Sequence, residues 1–280
     1  MKIGVSAFAW TTHFDPRHFH LLASLREHGI TGFEVPMFDP AALDARAIRS
    51  ALETHDLECT VCAILPQGIN PISSDRAARA QSRKHLARCI ETAAELGAKL
   101  LGGPLYAPIG YLPNRRRQRD EWNWAVECFQ HLGAVLDEHS ITLTIEPVNR
   151  AETFFLRTAA EGRAFCDAVD HPRLGITIDT FHANIEEKSI PAAALAAGPR
   201  LRHIHASEND RGVPGSGHID FRGLIAALRS FQYDGYLMIE GFGYTPDEPD
   251  SLGAAWGEPG VTPEYIAFRG ADYLRELVRS

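Results

Sequence analysis

The chain has 280 residues, 45% hydrophobic and 23% charged, which is the profile of a globular protein with enough residues for a sizeable core. Its 28 basic and 36 acidic side chains give a formal net charge of −8. That balance disfavours nucleic acid or an anionic membrane as partner, since both need a positive field.

Short apolar runs alternate with helix-period segments from end to end. Strands are expected at 3–10, 33–37, 59–65, 99–102, 141–146, 174–179, 201–205 and 236–240. Helices are expected at 16–27, 45–54, 76–96, 119–138, 159–169, 190–197, 221–231 and 263–278. Gly97 stands where a helix C-cap belongs, and Asp220 where an N-cap belongs. Eight strand–helix units in this length predict an α/β fold, a closed (β/α)8 TIM barrel forming one domain over 1–280. No GxGxxG follows the first strand, which argues against a dinucleotide fold. The opening apolar run is too short for a signal-peptide core, and nothing approaches the roughly 20 apolar residues of a membrane span.

Five cysteines, Cys59, Cys62, Cys89, Cys128 and Cys166, are odd in number and widely spaced. They form no disulfide framework and point to a reducing cytoplasm. Cys59 and Cys62 have redox-motif spacing, but an offset of three on a strand sends them to opposite faces, as two small core hydrophobes. Arg115, Arg116 and Arg117 read as a solvated start to the fourth helix. The one long loop, 241–262, is rich in Gly, Pro and acids, and is expected to act as a lid or a subunit contact.

In such a barrel the chemistry sits at the C-terminal ends of the strands. The fifth strand ends in Glu146, the sixth in Asp179, the seventh in His205 and the eighth in Glu240. Taken singly, a Glu or His at a strand end is an ordinary cap or loop residue. Together, three acids and a His at one rim would repel unless a cation neutralised them. The mostly oxygen donor set suits Mn²⁺, Mg²⁺ or Co²⁺ better than a structural zinc shell. Each of three candidate ligands has a polar companion expected on the loop past its strand. These are Glu152 in EPVNRAE, His182 in DTFHANIEE and Arg211 in HASENDRG, the mixed donor–acceptor set that a substrate's hydroxyls and carbonyl need.

These stretches resemble the D-tagatose 3-epimerase family, which includes the D-psicose (D-allulose) and L-ribulose 3-epimerases. The pairs Glu146 with Glu152, Asp179 with His182, and His205 with Arg211 are similar to that family's pattern in type and spacing. So is Glu240 in YLMIEGF. The likeness spans the chain and is strongest over 141–241. Ser6 and Phe14 depart from it, standing where some members have an aromatic residue and Trp. The resemblance implies a xylose-isomerase-like barrel holding one divalent ion, Mn²⁺ first, on Glu146, Asp179, His205 and Glu240. It implies a ketose bound through O2 and O3, with C3 between Glu146 and Glu240 as opposed acid and base, and a metal-stabilised cis-enediolate. Glu152, His182 and Arg211 would hold O1 and O2, and a homodimer or homotetramer is implied.

The rivals are enzymes on the same scaffold, an aldose–ketose isomerase or an inosose dehydratase. A hydride-shift isomerase of the xylose isomerase type needs two metals and more carboxylates. A repair endonuclease of the endonuclease IV type needs more His ligands and a basic face. A non-catalytic sugar-binding barrel would not need two opposed carboxylates.

Overall fold

The computed structural model describes residues 1–280. Eight parallel strands close in sequence order: β1 (Lys2–Ser6), β2 (Gly32–Met37), β3 (Glu58–Ala63), β4 (Leu100–Gly102), β5 (Thr142–Ile145), β6 (Leu174–Asp179), β7 (Leu201–Ala206) and β8 (Tyr236–Ile239). β1 pairs with β8 through Lys2–Tyr236 to Val5–Ile239, which closes the ring. Eleven helices surround or cap it: α1 (His20–Glu27), α2 (Ala45–Thr54), α3 (Arg76–Glu95), α4 (Arg119–Gln130), α5 (Gly133–His139), α6 (Ala159–Val169), α7 (Thr180–Glu186), α8 (Ile190–Ala197), α9 (Phe221–Ser230), α10 (Gly253–Trp256) and α11 (Pro263–Arg279). The expected (β/α)8 barrel is therefore present. No helix is long and apolar enough to cross a membrane.

Alternate residues of the strands face helices or axis. Phe33, Val35, Val61, Leu143, Ile176, Ile204 and Ile239 are buried within the continuous apolar core. On the other face small and polar residues fill the ring, as with Thr144 and Thr177, whose hydroxyl oxygens lie 2.8 Å apart. A Cβ on Gly102 would come within 2.8 Å of the Thr144 hydroxyl, so a side chain there would displace that pair.

Three of the differences from the expected elements have a clear local cause. β1 ends at Ser6, whose hydroxyl accepts the Phe8 N–H and starts a 3₁₀ turn over Ala7–Ala9. The helix expected over 119–138 is two, α4 and α5. The Leu132 N–H donates to the Phe129 carbonyl and not to that of Cys128 one residue further back, a tightening that ends the first helix. Gly133 then lies against His171, where a Cβ would meet the imidazole at 3.1 Å. Finally, α7 starts directly at the end of β6, because Asp179 Oδ1 accepts the Phe181 N–H at 2.8 Å and caps it.

Candidate active site and metal centre

Four consecutive strands deliver polar groups to one rim. Glu146 follows β5 directly, and its N–H donates to the Gly103 carbonyl at 3.1 Å. The buried Tyr106 hydroxyl lies 3.0 Å from the Glu146 carbonyl oxygen and 2.9 Å from that of Leu156. It thus pins both ends of the loop that carries Glu152. Asp179 ends β6, level with His205 on β7. Thr180 locks these two strand ends together, its hydroxyl accepting the Ser207 N–H at 2.8 Å. Glu240 follows β8. One ligand atom from each of Glu146, Asp179, His205 and Glu240 lies within 4.8 Å of all the others, and all four side chains are buried.

The companions converge on the same place. Glu152 accepts from the Asn149 amide at 2.8 Å, and that amide nitrogen is also 2.9 Å from His182 Nδ1. His182 sits in the first turn of α7, not on a loop as the sequence suggested, because the Asp179 cap winds the chain at once. Arg211 has a left-handed backbone, φ 63°, a conformation that costs a non-glycine residue about 1 kcal/mol or more. Its loop is tied down by Glu208, whose carboxylate accepts the N–H groups of Asn209, Gly215 and Ile219. The Arg211 guanidinium is buried between the rings of Phe181 and Phe242. Its Nη1 donates to Asp179 Oδ2 at 2.7 Å and Glu240 Oε2 at 2.8 Å.

The electrostatics are those of a crowded acidic cluster. Burial pushes the Glu240 carboxyl up to about 8, with Asp179 and Glu146 adding to the rise and Arg211 and His205 opposing it. Burial also works against ionised Asp179, but the Arg211, His182 and His205 charges outweigh it and hold that carboxyl below its usual range. His205 is pulled down by burial and raised further by Glu34, Glu240 and Glu146, with a net rise. Burial lowers His182, against the pull of Asp179. Three carboxylates and an imidazole nitrogen converging from four strands fit a hard divalent cation, with ligands that shed protons to bind it. His205 Nδ1, 3.1 Å from Glu146 Oε1 and 3.3 Å from Glu240 Oε2, is the ring atom aimed into this cluster.

Beside the cluster opens a cavity of about 210 Å³. Glu146, Glu152, His182, Arg211 and Glu240 form its polar side. Phe8, Ile64, Ile109, Phe242, Leu252 and Trp256 form its apolar side. Leu252 and Trp256 come from the long loop after β8, which therefore contributes a wall to the cavity. No local pattern marks this apolar side, because its residues lie on four separate loops and turns. Cys59 and Cys62 are both buried and free. Cys62, however, also lines this cavity, so its setting is not that of an ordinary core hydrophobe. Arg115 leads into α4 paired with Glu121 through two hydrogen bonds, of 2.9 and 2.6 Å.

The barrel agrees with what known proteins show. Residues 22–277 match the family model described as a xylose isomerase-like TIM barrel. Over 280 residues the chain is 31% identical to a Synechocystis sp. protein named "Probable ketose 3-epimerase", covering all of this chain and 98% of that one. The chain belongs to the ketose 3-epimerase family. A second member, the ketose 3-epimerase of Arthrobacter globiformis, is 32% identical over 254 residues, 89% of this chain and 86% of that one. Among solved structures, the D-allulose 3-epimerase of Methylomonas sp. in complex with D-allulose superposes with a TM-score of 0.91 at 26% identity, covering 99% of this chain and 96% of that one. The family resemblance read from residues 141–241 is thus borne out, together with its xylose isomerase-like fold.

Proposed function

We propose that this protein is a metal-dependent ketose 3-epimerase, interconverting free ketoses that differ in configuration at C3. The observation that carries the reading is that Glu146 and Glu240, three strands apart around the ring, line one cavity and share one cluster with Asp179 and His205. The substrate class comes from relatives whose names are ketose, L-ribulose and D-psicose 3-epimerase.

Epimerisation breaks a C–H bond next to a carbonyl and remakes it on the other face. One glutamate takes the C3 proton as general base, and the electron pair moves onto the C2 oxygen. The other glutamate gives its proton to C3 from the opposite side, and the reverse reaction swaps the roles. A divalent cation held by Glu146, Asp179, His205 and Glu240 would supply the positive charge that makes this proton acidic enough to remove. Glu152, His182 and Arg211 orient O1 and O2, and the Arg211 guanidinium favours the negatively charged enediolate. The apolar side of the cavity faces the rest of the sugar chain and excludes water from it. Mn²⁺ is the ion this reading names first, in a reducing cytoplasm suited to five free cysteines. It also includes a homodimer or homotetramer, for which the exposed Ile109, Tyr111 and Leu112 offer an apolar surface.

The deciding experiment incubates a panel of free ketoses with the Mn²⁺-loaded protein in D₂O. Deuterium at C3 together with the C3 epimer is the expected result. Deuterium at C1 alone would make the protein an aldose–ketose isomerase. No exchange with any ketose would leave only a sugar-binding barrel.

A further inference from the structure

Glu34 is a fully buried acid that the proposed chemistry does not use. It lies on β2, inside the ring, and no lysine or arginine pairs with it. Burying a carboxylate is costly unless its oxygens are matched. One of them is: Oε2 accepts from the Thr60 hydroxyl at 3.2 Å and lies 2.9 Å from His203 Nε2. The other, Oε1, stands 3.1 Å from His205 Nε2 but off the line of a ring N–H, and neither atom has a hydrogen-bond partner.

His205 therefore faces two ways. Its Nδ1 is aimed at Glu146 and Glu240, and its Nε2 at Glu34. A neutral imidazole has one N–H and one bare nitrogen, and only the bare one binds a cation. With the hydrogen on Nδ1, that N–H would fill the space between the ligand carboxylates, while two lone pairs would oppose each other at Nε2 and Oε1. With the hydrogen on Nε2, a small turn of the ring or the carboxylate brings it onto Oε1, and Nδ1 is left free for the ion.

We propose that Glu34 is a positioning residue: it accepts the Nε2–H of His205, so fixing the tautomer and ring orientation in which Nδ1 binds the divalent ion. The inference rests on the reading of Glu146, Asp179, His205 and Glu240 as a metal centre. Thr60 and His203 hold the carboxylate from behind, so the support reaches from the ion through β7 and β2 to β3. Such a partner typically changes metal affinity by about 10–100-fold. Glu34, Cys62 and His205 also come within 4.8 Å of one another, as a second ion site would require. One ring serving two ions would have to lose both of its hydrogens, and Oε2 is already engaged by His203 and Thr60. The geometry favours one ion with a hydrogen-bonded ring.

The test is calorimetric titration of Mn²⁺ into metal-free wild type and Glu34→Gln. The carboxamide keeps the shape but cannot accept from both His203 and His205. Expected are one Mn²⁺ per chain in both proteins and an affinity about 10–100-fold weaker in the variant, with an unchanged circular dichroism spectrum. Affinity within twofold of wild type would overturn the proposal, and two Mn²⁺ per chain would replace it with the second ion site. If wild type binds no Mn²⁺, the metal centre itself fails and this inference with it. Should Glu34→Gln not fold, two-bond ¹H–¹⁵N spectra of the Mg²⁺-loaded wild type decide the matter. Hydrogen on His205 Nε2 supports the proposal, and a bare Nε2 ends it.

Discussion

The two ends of the barrel carry charge in opposite ways. At the mouth, Glu146, Asp179, His205, Arg211 and Glu240 are buried and converge. At the floor, a larger cleft of about 400 Å³ is lined by Lys2, Arg49, Glu53, Glu58, Lys99 and Arg202, charges of both signs. Its Lys2–Glu58 ion pair is about half exposed on both sides. Water screens such a pair and leaves it worth little, whereas at the mouth each charge depends on its neighbours. The barrel axis beneath is packed with Gly4, Gly32, Tyr236 and Met238, which separates the two ends. Cavity size is thus a poor guide to chemistry here, and convergence of buried donors is the better one.

Breaking the mouth has the largest expected effect. Glu146→Gln or Glu240→Gln, assayed at saturating Mn²⁺, lowers turnover by about 10²–10⁴-fold or more while circular dichroism stays that of the folded barrel. Appreciable turnover in either variant would remove the two-carboxylate scheme. Next comes chelation, which abolishes turnover until Mn²⁺ or Co²⁺ is returned. It also lowers stability, by about 3 kcal/mol if the ion was present at a hundred times its Kd, readable as a fall in melting temperature.

The pH dependence of the chelated protein sharpens the comparison. Glu240 rises from its ordinary 4.5 to about 8 in the folded state. The native state then keeps a proton that the unfolded chain has released, so stability falls as pH climbs through that window. His205, also raised, adds the same sign as its own proton is lost. Melting curves of metal-free Glu240→Gln should show a shallower fall between about pH 4.5 and 8 than those of the metal-free parent.

The floor responds to shape and hardly to charge. A Cβ on Gly32 would sit 2.3 Å from the Tyr236 ring, whose hydroxyl is held by the Thr31 carbonyl at 3.1 Å. Gly32→Ala should therefore cost about 1–3 kcal/mol in denaturant melts, with turnover per folded molecule retained. Lys2→Met, which removes the exposed ion pair and the ammonium over the Tyr236 ring, should change stability by about 1 kcal/mol or less. A larger loss would mean that the floor also relies on its charges.

Much of this was legible in the chain. Alternation of apolar runs with helical segments places all eight strands, because a parallel barrel buries both strand faces and helices must return between them. The strand-end rule then singles out Glu146, Asp179, His205 and Glu240 without any contact being known. Local chemistry was readable in part: Asp220 caps α9 through the Gly223 N–H, and Gly97 adopts φ 78° as a helix terminator. The cap formed by Asp179 escaped notice because the same residue also read as a strand end. That is why His182 was expected on a loop.

What the sequence determined by itself is the order of elements and the residues that leave each strand at the mouth, since these follow from a two-residue and a 3.6-residue period. Tertiary structure alone decided which side chains meet across the ring. Glu34 in GFEVPMF is one acid in an apolar strand, and nothing local separates it from a charge turned outward. Only closure of the barrel brings β2 opposite β7 and sets its oxygens beside His203 and His205, 169 residues further along the chain in the case of His203. Trp256 and Leu252 reach the cavity for the same reason. Contacts at that separation depend on how the sheet curves, and no period in the sequence encodes that curvature.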